Sequence, residues 1–178
     1  GDWVLVKIYD DNFAVIHRIL PRFSILKRRS SGKFLEVQVI AANIDYAFIV
    51  QSVDRDYNIN RLERYLTICN SAKITPIIIL SKIDLINELE LEAIVNKIKS
   101  RISDVQIIPI SNETKKGYDE LKAIIKKGKT YCVIGSSGVG KSTLINNLYG
   151  NQKMQTETIS ESSKRGKHKT THRELIIL

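Results

Sequence analysis

At 178 residues and 43% hydrophobic composition, the chain is long enough for one α/β domain with a core and a small appendage, and it is not a disordered polypeptide. Its apolar runs fall far short of the ~20 residues a membrane helix needs, and Gly1-Asp2-Trp3 opens no signal-peptide pattern. A net charge of +9, concentrated in Lys27-Arg28-Arg29, Lys126-Lys127-Lys129 and residues 164–173, favours a polyanionic partner over the alternative of a solvated surface of mixed charge.

Cys69 and Cys132 lie far apart in apolar stretches. They read as buried thiols rather than a disulfide or metal pair, which suits a reducing cytoplasm.

In chain order, residues 1–39 read as β structure. Residues 3–9 form one strand, Asp10-Asp11-Asn12 a turn, and residues 13–20 a second strand that Pro21 stops. A third extended piece around Ile25-Leu26 runs into the basic cluster, and Ser30-Ser31-Gly32 reads as a mobile tip. Three short strands cannot bury both faces alone. The expectation is the end of a small barrel whose earlier strands lie before Gly1. His17 alternates with its strand neighbours and reads as an ordinary surface or core histidine rather than a ligand.

From Val37 the pattern changes to alternating strands and helices. Residues 46–50 read as a buried strand and residues 60–69 as a helix. Asn60 and Glu63 have the spacing of a capping pair, while Leu62, Tyr65, Leu66 and Cys69 share one face. Residues 75–80 are apolar throughout, as in a central parallel strand. A helix over 88–99 carries Leu91, Ile94, Val95 and Ile98 on its buried stripe. A strand over 105–108, a short helix over 118–125 and a strand over 131–134 complete the pattern. These repeated units predict a doubly wound, mostly parallel α/β sheet. Residues 150–172 read as a long mobile loop and residues 174–178 as a strand.

The strand over 131–134 runs into Gly135, Ser136, Ser137, Gly138, Val139, Gly140, Lys141, Ser142 and Thr143, and an apolar helical pattern follows. Strand, G-x-x-x-x-G-K-S turn and helix together make a phosphate-binding loop. Its N–H groups and the positive helix end surround an anion, Lys141 reaches the β and γ phosphates, and the Ser142 hydroxyl holds Mg²⁺.

Ser81, Lys82, Ile83 and Asp84 follow the strand over 75–80. A carboxylate there can accept from guanine N1–H and N2–H₂, donors that adenine lacks at that edge. The Lys82 stem packs over base and ribose, and Ser111 and Asn112 follow the next strand, where a backbone N–H can meet guanine O6. Both base-reading stretches precede the phosphate loop, the reverse of the usual order in small GTPases. The inversion predicts a circularly permuted GTP-binding domain.

At this point the chain resembles the bacterial ribosome small-subunit-dependent GTPases. Gly1-Asp2-Trp3-Val4 and Ile19-Leu20-Pro21-Arg22 resemble the end of that family's OB-fold. Residues 38–45 resemble its entry to the G domain, and residues 61–66 its first helix. Residues 135–143 match its phosphate loop almost letter for letter, and residues 165–174 resemble its switch I. The resemblance implies an RNA-facing OB-fold part over 1–39 and a circularly permuted G domain over 40–178. It implies GTP or GDP with Mg²⁺ as ligands, Lys141, Thr170 and Thr171 as catalytic residues, and Ser142 with Thr170 or Thr171 on the metal. It also implies a cytoplasmic monomer that assists late 30S maturation, touches 16S rRNA, is stimulated by the small subunit, and has neither a DNA nor a membrane partner.

Ser81 stands where the family usually has Asn or Thr, and Lys169 where a threonine is common. The family's D-x-P-G element and zinc-binding C-terminal domain have no counterpart before Leu178. The expectation is therefore a truncated G domain that binds nucleotide weakly and hydrolyses it poorly, with Zn²⁺ confined to that further domain. His168 and His172 are candidates for orienting water, beside a reading as solvated loop histidines. Two other classes stay open. One is a P-loop ATPase or small-molecule kinase in which Asp84 only caps a helix, and the other an RNA-binding module with a structural nucleotide site.

Overall fold

The computed structural model describes residues 1–29, 37–150 and 175–177. Strands β1 (Val4–Asp10) and β2 (Phe13–Ile19) form an antiparallel hairpin, closed by a turn in which the Asn12 N–H donates to Asp10 Oδ1 at 2.8 Å. A second antiparallel pair joins β3 (Ile25–Arg29) to β4 (Val37–Ala42), so the predicted third extended piece and its basic cluster lie on a strand. These pairs match the β-rich opening expected of an OB-like segment. The Asp2–Arg22 ion pair at 2.6 Å and the Asn43 Nδ2 bond to the Gly1 carbonyl at 3.0 Å fasten the hairpin to the second pair.

The β3–β4 ladder runs across residues 39 and 40, and Leu26 packs into the core of the following α/β layer. Ser24 Oγ donates to the Ile44 carbonyl and accepts from the Ile44 N–H, both at 2.7 Å.

Beyond Ile44 the chain alternates strands and helices. Strand β5 (Tyr46–Ser52) precedes α1 (Ile59–Ser71), and β6 (Thr75–Ser81) precedes α2 (Glu88–Arg101). After β7 (Gln106–Pro109) come α3 (Tyr118–Ala123), β8 (Tyr131–Gly135) and α4 (Lys141–Tyr149). The sheet order is β7-β6-β5-β8, with all three pairings parallel.

Strand side chains alternate between faces, so β5 and β6 must be apolar on both. Ala47, Ile49, Ile78 and Leu80 meet Leu62, Leu66 and Cys69 of α1 and Ile98 of α2. Phe48, Val50, Ile77 and Ile79 meet Tyr118 and Leu121 of α3 and Leu144 of α4. Helices thus cover both faces, the doubly wound arrangement. Burying each such Leu or Ile contributes about 1.5–3 kcal/mol, and this two-sided core holds the loops at the strand ends.

Three expectations are corrected. Helix α1 is capped by Asn58, not Asn60: Asn58 is extended at φ −151° and its side chain accepts from the Arg61 N–H. Asn60 already lies inside the helix, and with Glu63 it receives the Arg101 guanidinium instead. Residues 175–177 carry no strand, because a strand exists only through a paired ladder and none among the described residues reaches them. Third, burial of the thiols is unequal. Cys69 is fully buried and Cys132 only partly so; burial pushes Cys69 up to about 11 and Cys132 up to about 12, and both remain free thiols. Ser30-Ser31-Gly32, most of the 150–172 stretch and both ends of the 174–178 stretch lie outside the described residues.

Candidate nucleotide site

The C-terminal ends of all four parallel strands open on one edge of the sheet. From β5 the chain builds outward through β6 to β7, then returns to place β8 on the other side of β5. Such a reversal leaves a crevice beyond the strand ends, where ligands of open α/β sheets bind.

The phosphate loop leaves β8 at Gly135, whose φ of +151° and lack of a side chain are both required: a Cβ there would stand 2.3 Å from the Val50 carbonyl oxygen. The loop closes at Gly140, left-handed at φ +89°, directly before α4. Ser136, Ser137, Gly138 and Val139 lie between them, and loops of this kind surround an anion with their backbone N–H groups. Lys141 opens α4, and its Nζ donates to the Ser136 carbonyl at 2.5 Å. Burial lowers the ammonium's pKa, so an anion at this position gains a charge that little water screens. Ser142 and Thr143 follow in the first turn of α4, half-buried.

Three side chains from elsewhere hold the loop. Ser81, at the end of β6, donates through Oγ to the Val139 carbonyl at 2.7 Å. Asn112, after β7, donates through Nδ2 to the Gly140 carbonyl at 3.1 Å. Arg61, in the first turn of α1, donates through Nη1 to Ser136 Oγ at 2.8 Å.

The predicted base-reading residues stand at the neighbouring strand ends. Lys82 takes a left-handed conformation at φ +64°, which starts the single 3₁₀ turn Ile83–Leu85. Ile83 is buried, and its N–H donates to the Ile110 carbonyl, so the turn is bolted to the segment after β7. Asp84 is exposed on that turn, and Ser111 Oγ donates to its Oδ1 at 2.5 Å. The Ser111 hydroxyl in turn accepts from the Glu113 and Thr114 N–H groups. A carboxylate oriented by one hydroxyl is pre-organised to accept a further pair of donors without reordering.

Lys82 Nζ meets Asp54 Oδ2 at 2.7 Å, joining the end of β6 to the loop after β5. Burial alone would raise the Asp54 pKa. Bonds from Lys82, from Ser52 Oγ and from the Asp56 N–H outweigh it and hold the carboxyl below its ordinary value.

Asn112 does more than the backbone role its sequence position suggests. Its Oδ1 accepts from the Tyr118 hydroxyl at 2.7 Å, and its carbonyl accepts from Lys115 Nζ at 2.8 Å and Asn147 Nδ2 at 3.2 Å. Asn147 also donates to the Tyr118 hydroxyl at 2.9 Å. A polar network therefore joins the β7 loop to α4, the helix that carries the phosphate loop. Sequence reasoning missed Asp54, Arg61, Lys115, Tyr118 and Asn147 in this neighbourhood. Arg61 reads in sequence only as part of a family-like helix. The contacts that matter for Arg61, Asp54 and Asn147 reach Ser136, Lys82 and Asn112 far along the chain. Lys115 and Tyr118 meet Asn112 three and six residues away, through a loop whose shape the sequence does not show.

Thr170 and Thr171 lie outside the described residues. Among the described residues no group of three His, Cys, Asp or Glu side chains could hold a metal ion. Mg²⁺ does not need one: it binds nucleotide phosphates, waters and one or two protein oxygens, and Ser142 beside the loop fits that role.

A phosphate loop on a parallel sheet, opposite a braced carboxylate at a neighbouring strand end, defines a P-loop nucleotide-binding fold. The family described as RsgA GTPase matches residues 19–178, and the chain belongs to that family. It is 42% identical over its whole length to the small ribosomal subunit biogenesis GTPase RsgA 2 of Lactiplantibacillus plantarum, covering 50% of that protein. To the RsgA of Methanosarcina acetivorans it is 41% identical, covering 48%. The chain spans about half the length of the curated relatives it matches. Among solved structures, YjeQ from Thermotoga maritima superposes with a TM-score of 0.67 at 27% identity, over 82% of this chain and 49% of that one. YloQ, described as a circularly permuted GTPase, gives 0.62 at 30% identity over 82% and 48%. The fold is the circularly permuted one expected from the order of the motifs.

Proposed function

We propose that this chain binds GTP and GDP in the crevice and that the whole protein hydrolyses GTP during maturation of the small ribosomal subunit. The observation that carries the reading is the joining of two half-sites. Ser111 braces Asp84 at the base end, and Ser81 and Asn112 tie that end to Val139 and Gly140 of the phosphate loop. Asp84 accepts from the guanine edge, the Lys82 stem covers the base, and Ser111 and Asn112 border O6. The loop N–H groups over Gly135, Ser136, Ser137, Gly138, Val139 and Gly140 take the phosphates, with Lys141 on the terminal pair.

Ser142, together with Thr170 or Thr171, would hold Mg²⁺, which when bound would neutralise charge on the phosphate oxygens. Lys141 and the loop N–H groups hold the γ-phosphate for in-line attack by water, so catalysis rests on position and charge. The names of the relatives support a small-subunit role; 16S rRNA as partner, a cytoplasmic site of action and a monomeric state are further parts of the proposal. The described residues contain no helix long and apolar enough to cross a membrane.

Titration with fluorescent GDP and ADP in Mg²⁺, with Asp84→Asn alongside, tests the base site. The expected result is GDP binding, no ADP binding, and loss of GDP binding in the variant. Equal affinity for ADP would return the chain to the ATPase or kinase class.

A further inference from the structure

Two cations converge on one residue of the phosphate loop. Arg61 Nη1 bonds the Ser136 hydroxyl at 2.8 Å, and Lys141 Nζ bonds the Ser136 carbonyl at 2.5 Å. The described ion pairs are Asp2–Arg22, Asp54–Lys82, Glu63–Arg101, Glu88–Lys116 and Asp45–Lys129, so among the described residues neither Arg61 nor Lys141 is neutralised by a carboxylate. Both cations are therefore directed at the same loop residue, and an anion beside Ser136 would meet two positive groups without a competing carboxylate.

The braces on the loop show which anion. Its Val139–Gly140 end is tied by Ser81 and Asn112 to the strand ends that carry Asp84 and Ser111, so that end faces the base. Ser136 stands at the opposite end, beside β8, and a nucleotide laid from the base along the loop brings its terminal phosphate there. We infer that Arg61 is a γ-phosphate-sensing cation of this site, favouring the triphosphate over the diphosphate.

The side chain suits the task. Arg61 is half-buried in the first turn of a helix fixed by the Asn58 cap, so its guanidinium reaches the loop from a rigid element. Guanidinium carries five donors in a planar fork, and one bond to Ser136 leaves others for phosphate oxygens. α1 follows β5, so an arginine in its first turn reports on the far end of a ligand whose base is read by β6 and β7. The inference rests on the guanine-nucleotide reading above, and its test separates the two.

Affinities for fluorescent GDP, fluorescent ADP and a slowly hydrolysed GTP analogue are measured in Mg²⁺ for the whole protein and for Arg61→Ala, Arg61→Lys and Ser136→Ala, with thermal unfolding as a check on folding. Arg61→Ala is expected to weaken the GTP analogue about tenfold while GDP stays within about twofold, with Arg61→Lys between. Ser136→Ala is expected to leave the ratio of the two affinities unchanged. Equal losses for GDP and the analogue in Arg61→Ala make Arg61 a brace on the loop and overturn the inference, as does no loss of either. It is also overturned if Ser136→Ala reproduces the loss of selectivity. A wild-type protein that binds ADP as tightly as GDP sinks the guanine reading, while the triphosphate-to-diphosphate ratio still decides Arg61. Wild-type protein that binds no nucleotide overturns both.

Discussion

The Ser81 hydroxyl donates to the Val139 carbonyl at 2.7 Å across a sequence separation of 58 residues. Ser81 is fully buried and Val139 nearly so. Where the resemblance leads to an expectation of Asn or Thr, the Ser81 hydroxyl reaches the phosphate loop. Ser81→Ala strands a buried carbonyl and is expected to cost about 1–3 kcal/mol and to weaken GDP. Urea unfolding and a GDP titration check both, and Ser81→Thr should recover most of each loss.

Gly135 tolerates no side chain. With φ at +151° and the Val50 carbonyl 2.3 Å from any added Cβ, Gly135→Ala must shift either β5 or the loop. The expected result is loss of GDP binding and a lowered Tm. The control is Gly128→Ala, where open space surrounds the added carbon and only its φ of +75° is strained. It should lower Tm modestly and leave GDP affinity alone.

The Asn112 network predicts a kinetic effect. Asn112→Ala removes the bonds to Gly140 and Tyr118 that join the base-side loop to α4. GDP release, followed by displacement of a fluorescent analogue, should speed up about tenfold, about the cost of one buried hydrogen bond. An unchanged release rate would show that the network serves stability alone.

Asp54 predicts a pH dependence whose sign is fixed. Its folded pKa lies below the ordinary 3.8, so the stability it contributes is complete above that value and is lost as pH falls through the lowered one. Asp54→Asn should therefore be less stable than wild type at pH 7, and the gap should close in acid below pH 3.8. Unfolding midpoints in urea at several pH values measure it.

The thiols make a simpler prediction. With Cys69 near 11 and Cys132 near 12, about one Cys69 in a thousand is thiolate at pH 8. A thiol reagent should label the folded chain far more slowly than the chain in urea.

What could be read from residues alone follows from the range of the forces. Strand and helix identities came from local periodicity, and β6 is central as its unbroken apolar run requires. The Gly135–Thr143 loop, and Asp84 and Ser111 as strand-end positions, were legible because each stretch is contiguous or sits at a strand end, whereas the hydrogen bond that joins Ser111 to Asp84 was not. Asn60 misled because Asn58 offers the same cap chemistry two residues earlier, and spacing alone does not rank them. Arg61, Asp54 and Tyr118 were not legible at all. Their roles exist only once α1, the β5 loop and α3 are packed around the crevice.

The strand order β7-β6-β5-β8 also has a consequence for synthesis. A chain emerging amino end first presents β5, β6 and β7, with Asp84 and Ser111, before β8 exists. Pairing of β5 with β6 closes a short span of chain, whereas β8 must find β5 across a much longer one. On the nascent polypeptide the specificity half of the crevice is therefore laid down first, and the anchoring half docks onto it afterwards. A small GTPase with the usual motif order assembles in the opposite sequence.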